Sequence, residues 1–384
     1  MTMSYQYTDD PVNPTTLWDA DRLGFLVLAS FEGFGSRTLN KLNVFFRTEG
    51  NRAVRAGMEQ LISLGVTQKA AEKFLSFREE TDALNLARDM DAEGIALLTI
   101  NDASYPPQLK HIPDPPFALF IRGNPEWREK NVAIVGTRRM TSYGRHVAAS
   151  LARDLACAGV GIVSGLALGV DTVALESANA YGSTIAVLGS GVDDTTIYPR
   201  ANFHLAKSMI ESGSIVMSEF PLRTLGLKHH FPLRNRIISG LCQATVVVEA
   251  AEGSGSLITA NSALDQNRDV FSVPGPITSP QSQGTNKLLK MGAIPCTSAA
   301  DILEQLSLPA AEALGRHPIK LTERQIALLR ILDIPLHVDD ISRQLKLDTG
   351  SVSAEVMALE LAGLASSTGG KIYVRTPASL LYIG

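Results

Sequence analysis

Cysteine is scarce in this chain, with Cys157, Cys242 and Cys296 the only three in 384 residues. An odd number at wide spacing excludes a full disulfide framework, and the absence of any C-x-x-C pair excludes a structural zinc site of that type. Charge is also sparse, 19% of residues against 45% apolar, which excludes the charged, weakly hydrophobic composition of a disordered chain. No apolar run approaches the ~18 residues a membrane helix needs. The opening MTMSYQYTDDPVNPTT carries acids and prolines where a signal peptide needs basic and then apolar residues. A soluble protein of the reducing cytoplasm is expected, with no membrane contact, and a prior of ~150 residues per domain suggests two or three domains.

Signatures of common chemistries are missing as well. The sequence has no G-x-x-x-x-G-K-[ST] phosphate loop and no G-x-S-x-G nucleophile turn. Its seven histidines form no H-E-x-x-H or H-x-x-x-H pair, and His229 and His230 are neighbours that would point apart on a strand, so no metal is expected.

What charge there is lies unevenly. Residues 1–130 hold 14 Lys and Arg against 18 Asp and Glu, whereas residues 131–300 hold 13 against 11. Within that positive middle, RTLGLKHHFPLRNR (223–236) contains Arg223, Lys228, Arg234, Arg236 and two histidines without one acid. A local basic stretch on a chain of net charge −4 suggests an aimed anion site and not a general polyanion coat.

Residues 1–15 read as a loose tail. Residues 16–100 read as a small helical domain built on two similar units, LASFEGFGSRTLNKLNVFF and LISLGVTQKAAEKFLSF, each a Gly-bearing turn leading into a helix with apolar residues at three- and four-residue spacing. The turn Gly33-Phe34-Gly35 could offer amides to a phosphate, but a packing or partner role is the preferred reading because the segment is net acidic and the second unit lacks the Gly-x-Gly. Residues 101–125 hold six prolines and read as an extended joint without helix, ending in the short strand FALFI.

Beyond the joint, residues 126–308 alternate short β-branched runs with helical stretches: VAIVG, GIVSG, TIAVLG, SIVMSEF, ATVVVEA, DVFSVPG and GAIPC. Runs apolar at every position are what parallel strands buried on both faces look like, so an extended Rossmann-like α/β domain with a mostly parallel sheet is predicted. After a linker at 309–320, residues 321–384 give three helices and a Gly-turned hairpin in winged-helix order. The third helix, Thr349 to Leu364, carries Glu355 and Glu360 and no Lys or Arg, so partner docking or packing is favoured over base reading.

Ligands of a parallel sheet sit at the carboxyl ends of its strands, where helix N-termini point free amides outward. This chain puts Gly or Ser at nearly all of those ends: Gly136-Thr137-Arg138, Ser164-Gly165, Gly189-Ser190-Gly191, Gly253-Ser254-Gly255-Ser256 and Pro274-Gly275-Pro276. Arg138 fills the space a dinucleotide pyrophosphate would need and offers a fork suited to a single phosphodiester, so NAD and FAD are disfavoured and no cofactor is expected. A nucleotide-processing, phosphoribohydrolase-like enzyme would need a glutamate in its phosphate loop, and Gly253-Ser254-Gly255-Ser256-Leu257-Ile258-Thr259-Ala260 has none. Asp171, Asp193, Asp194, Glu219 and Glu249 lie near strand ends. They are candidate catalytic carboxylates, although helix capping and pairing with nearby arginines is preferred. Phosphate grips thus stand beside Lys228, Phe231, Arg234, Asn235 and Arg236, cations flanking an aromatic face, which is how single-stranded nucleic acid is held.

At these residues the chain resembles the DNA-processing protein A family (DprA, also called Smf). The likeness runs in order through YPPQL, DPPFALFIRG, VAIVGTR, SGLALGVD, TIAVLGSGVDDTTIYP, SEFP, FPLRNRIISGL, VVVEA, GSGSLITA, VPGPI and SQGTNKLLKMGA. It implies a sterile-alpha-motif-like N-terminal domain, an extended Rossmann fold and a winged-helix-like tail. It implies a homodimer that binds single-stranded DNA and loads the RecA recombinase in natural transformation, and the missing catalytic groups favour a non-enzymatic role. Gly136, Thr137, Arg138, Lys228 and Phe231 match positions of the family's DNA pocket. One departure is Leu175, where the family usually has His. The expected function is a single-strand-binding recombination mediator, with a nucleotide-binding or nucleotide-processing Rossmann protein as the alternative.

Overall fold

The computed structural model describes residues 18–124, 127–308, 321–361 and 364–376, together with 379 and 382. The tail at 1–15 and the linker at 309–320 lie outside the described residues. Two compact units, residues 1–314 and 315–384, divide the chain.

The first unit is built on one nine-stranded sheet. Its strands are β1 (Ala96–Thr99), β2 (Ala118–Arg122), β3 (Asn131–Val135), β4 (Gly161–Ser164), β5 (Thr184–Leu188), β6 (Ile215–Ser218), β7 (Ala244–Val247), β8 (Asp269–Ser272) and β9 (Ile294–Pro295). Spatial order is β1-β2-β6-β5-β4-β3-β7-β8-β9. From β6 to β9 all neighbours pair in parallel, while β1 and β2 add an antiparallel edge beside β6. The chain leaves β3 toward β4 on one side and later returns to β3's other side as β7, so the order reverses between β3 and β7.

Alternation along each strand sorts side chains to two faces. Val132, Ile134 and Ile162 turn toward helices Ser142–Cys157 and Val170–Asn179, whereas Ala133, Val135, Val163, Ile185 and Met217 turn toward helices His230–Gly240 and Gly255–Asp265. Both faces are therefore covered, as a parallel sheet requires. The other half of the first face, through Ala118, Phe120, Ala186, Leu188 and Val216, packs on the N-terminal helices in a single core cluster. Leu175, fully buried, joins that cluster as apolar packing.

The N-terminal segment thus forms a layer over the sheet. Asp19 caps helix Ala20–Ser30 by accepting from the Arg22 amide at 2.7 Å, and Phe25 of that helix meets Phe117 edge-on with ring centroids 5.5 Å apart. The Gly33-Phe34-Gly35 turn serves packing: Phe34 is buried, with the rings of Phe31 and Phe74 each 4.8 Å from its own. Two local expectations are corrected. Strand β1 falls inside the segment read as helical, because a four-residue apolar run after a long helix carries no periodicity of its own. The proline-rich joint contains one helical turn, Pro107–Lys110, with proline at its first position, where a missing N–H costs nothing.

The second unit has helices Glu323–Ile331, Val338–Leu345 and Thr349–Leu361, and a small sheet of β10 (Leu336–His337), β12 (Ile372–Arg375) and β11 (Ala365–Gly369), in that order. Its own core includes Leu328, Leu329, Ile341, Val352, Val356 and Leu359, all fully buried, which gives it the winged-helix arrangement. Glu355 and Glu360 are half-buried, and the exposed residues of Thr349–Leu361 include Thr349, Gly350, Ser353, Ala354, Met357 and Ala358. That surface carries no cation to present to a groove.

Candidate nucleic-acid interface

The sheet's carboxyl edge at the β3/β7 reversal is where an open α/β fold binds ligands, and the turn after β3 is anchored there from below. The Thr137 amide donates to the Glu249 carbonyl at 2.7 Å, and the Val170 amide donates to the Thr137 carbonyl at 3.3 Å. Gly136 is required by close approach, since a Cβ would lie 2.6 Å from a Val170 methyl. With Thr137 buried and bonded inward, Arg138 and Arg139 project into solvent.

Phe231 enters from the other side, in the first turn of helix His230–Gly240. Pro232 follows it where the helix has no amide bond to lose. The Phe231 ring rests on Gly189, at the end of β5, where a Cβ would come within 2.8 Å of the ring. The Arg138 guanidinium lies over the ring, 5.4 Å from its centroid, and the Tyr198 ring stands 5.8 Å away at an interplanar angle of 38°. Lys228 is exposed in the turn before the helix. Among the described residues, Arg138, Arg139 and Lys228 form no ion pair.

The histidine pair sits at this helix start and not on a strand. His230 faces inward, stacked on Phe220 with centroids 4.1 Å apart and its Nδ1 donating to the Gly189 carbonyl at 3.2 Å. Burial, aided by the neighbouring His229, pushes the His230 pKa below its ordinary value.

The cations that follow Phe231 are not part of the open surface. Arg234 is buried and donates to the Gly165 carbonyl at 2.7 Å and to the Val187 carbonyl. Burial lowers its pKa to about 10, opposed by Asp171, which leaves it charged. Asp171 accepts from the amides of Gly165 at 3.1 Å and Ala167 at 3.4 Å, and burial raises its pKa. Asn235 donates to the Gly255 carbonyl at 3.3 Å. Arg236 holds both oxygens of Glu219, at 2.7 and 2.8 Å, and reaches Asp114 at 3.3 Å. Arg234, Asn235 and Arg236, expected on the sequence to grip a ligand, tie their helix to the carbonyls of Gly165 and Val187, to Gly255 at the start of the next helix, and to Glu219 and Asp114.

Ser164 and Gly165 are likewise buried. Ser164 Oγ donates to the Ile134 carbonyl at 2.7 Å, and a Cβ at Gly165 would meet the Arg234 guanidinium at 2.5 Å. Gly253-Ser254-Gly255-Ser256 forms the turn after β7: Gly253 adopts φ +75°, Ser254 caps helix Gly255–Asp265, and Gly253 and Gly255 are open to solvent. The sequence-predicted set therefore divides into an outer group (Arg138, Lys228, Phe231, Gly253, Gly255) and an inner frame.

The carboxylates belong to the frame. Glu249 is buried and accepts from the Thr141 amide at 2.8 Å and the Thr141 hydroxyl at 2.5 Å, at the start of helix Ser142–Cys157. Asp193 accepts from the hydroxyls of Thr195 and Thr196 and the amide of Arg223, and Asp194 pairs with Arg122 and Lys207. Among the described residues no cluster of three or more His, Cys, Asp or Glu side chains could hold a metal ion. Tyr198 and Arg139 went unremarked in the sequence as site candidates. An aromatic before proline in a strand-end loop was the available signal for the first, and a doubled arginine for the second.

A family model for the DNA recombination-mediator protein A matches residues 96–307, and one for the DprA winged helix domain matches residues 316–371. The chain is 38% identical over 324 residues to Protein Smf of Escherichia coli, covering 81% of this chain and 86% of that protein. It is 45% identical over 217 residues to the DNA processing protein DprA of Bacillus subtilis, covering 56% and 72%. In structure it resembles DNA processing protein A of Streptococcus pneumoniae with a TM-score of 0.64 at 31% identity, covering 75% of this chain and 98% of that one. It also resembles the Helicobacter pylori protein solved for its single-stranded DNA binding mode, with a TM-score of 0.50 at 31% identity, covering 56% and 95%. With one family model spanning more than half of the sequence and a second matching its winged unit, the chain belongs to the DNA-processing protein A family, DprA or Smf.

Proposed function

We propose that this chain binds single-stranded DNA without sequence-specific reading, shields incoming strands and loads the RecA recombinase onto them during natural transformation. The observation that carries the proposal is the convergence of Arg138, from the turn after β3, on the partly exposed ring of Phe231, seated at the end of β5, with Lys228 exposed in the turn that leads into the Phe231 helix and no acid paired to either cation. Cations track a phosphate backbone, and an aromatic face takes any base once the base is free of its complement. A paired duplex hides those faces. The Helicobacter pylori protein, whose structure was solved for its single-stranded DNA binding mode, supports this reading.

A binding role without catalysis is supported by the carboxylates near the edge: Glu249 caps a helix, Asp194 and Glu219 are in ion pairs, and Asp171 and Asp193 accept from nearby amides or hydroxyls. The homodimer is proposed from the family, and Ile277 and Met291, 90% and 66% exposed beside the β8–β9 end of the sheet, are apolar surface of the kind a partner copy would cover. Gel shift with single strand, duplex and mononucleotide tests the ligand, and preference for a mononucleotide with turnover would replace this reading by an enzymatic one. Light scattering at tens of micromolar protein tests the dimer. Strand-exchange assays in which RecA must displace a competing single-strand binder test the loading step, and no acceleration by this protein would contradict it.

A further inference from the structure

Tyr198 is 45% exposed in the loop after β5. The hydroxyls of Tyr105 and Tyr143 donate to the carbonyls of Pro116 and Pro274, but among the described residues no hydrogen bond to the Tyr198 hydroxyl is formed. Nothing polar explains the position of this ring. The loop beneath it is rigidly tied: Arg122 donates to the Val192 carbonyl at 3.1 Å, Arg200 donates to the Asp194 carbonyl at 2.6 Å, and Asp193 holds the Arg223 amide at 2.9 Å. The ring itself backs onto Gly226, where a Cβ would lie 3.0 Å from Tyr198 Cγ, and its other neighbour is the Phe231 ring. Gly226 and Gly189 each leave the room in which one of these rings is seated.

We propose that Tyr198 is a second stacking face adjoining Phe231, so that the site takes two neighbouring bases and selects strands whose bases are splayed. The inference rests on the single-strand reading above. Two faces inclined at 38° with centroids 5.8 Å apart cannot both be matched by parallel, stacked neighbours. The strand must unstack one base step to use them. Preferences among single strands arise from stacking strength and backbone flexibility, so oligothymidylate, which stacks weakly, fits at lower cost than oligoadenylate.

Fluorescence anisotropy of wild type, Tyr198→Phe and Tyr198→Ala on the two oligonucleotides at equal length tests this. Wild type and Tyr198→Phe should favour thymidylate. Tyr198→Ala should bind it roughly 5- to 150-fold more weakly, the loss of one stacked base, with its preference over adenylate reduced toward parity. A Tyr198→Trp variant gives a direct readout, since its added emission should be quenched by oligothymidylate beyond any change in the wild-type signal. Wild-type affinity in Tyr198→Ala, or an unquenched Tyr198→Trp variant that still binds the strand, overturns the role of Tyr198 and leaves the single-strand reading standing. A wild-type protein that binds no single strand overturns both.

Discussion

Phe231 and the cations beside it act through different physics, and substitutions separate them. Arg138→Ala or Lys228→Ala removes a phosphate contact that releases about one counterion, so the log–log salt slope should flatten by ~0.7 per cation lost. Phe231→Ala should cost ~1–3 kcal/mol of binding with the slope nearly unchanged, because a stacked base is uncharged surface. Titration at several salt concentrations checks both, and intact binding in all three variants would mean the site lies elsewhere. His230 supplies a pH test of the same corner. Its folded pKa is depressed by burial, so its contribution to stability is full above about pH 6.5, the unfolded value, and is lost as pH falls through the lower folded value. The drop in melting temperature from about pH 7.5 to about pH 5.5 should be larger in wild type than in His230→Gln, and equal drops would show that the ring is not held neutral.

At the scale of elements, the strand exits decide what each side chain can do. Glu249 stands just beyond β7 among carboxylates for which the sequence favours capping over catalysis, and both its oxygens accept from Thr141 at the start of the helix that follows β3. Glu249→Ala leaves a buried amide and hydroxyl without acceptors and should lower stability by about 1–3 kcal/mol, seen as an earlier midpoint in urea unfolding. An unchanged midpoint would contradict the capping role. The strands of the parallel core were legible because two-sided burial makes them apolar at every position, and the Gly-rich exits were legible because close approach excludes a Cβ at Gly136 and Gly189. The orientation of the basic run was not. Charge counting treats residues 223–236 as one open stretch, but helical geometry from His230 onward turns Arg234 into the sheet and Arg236 onto Glu219. Strand β1 and the helical turn at Pro107 were invisible for a related reason, being too short for periodicity to show.

For the molecule as a whole, the N-terminal helices share a core with the sheet while the winged unit has a core of its own. Sequence separated the first as a domain because its period changes from helix to strand near the proline-rich joint, although burial runs across that change. The winged unit offers Ser353, Ala354, Met357 and Ala358 on the helix that would enter a groove, none of which contacts base edges as Arg, Lys, Asn or Gln do. A chain truncated near Arg316 should therefore stay folded and keep most of its single-strand affinity, with defects confined to assembly or partner contacts. A large loss of affinity in a folded, dimeric truncation would show that the winged unit binds DNA after all. The central claim, that the sheet's carboxyl edge grips an unpaired strand by phosphate and base face together, is tested most directly by titrating the full chain with one labelled oligonucleotide alone and annealed to its complement. The account predicts markedly tighter binding to the single strand, weakening with salt. Equal affinity for the perfectly paired duplex would contradict it.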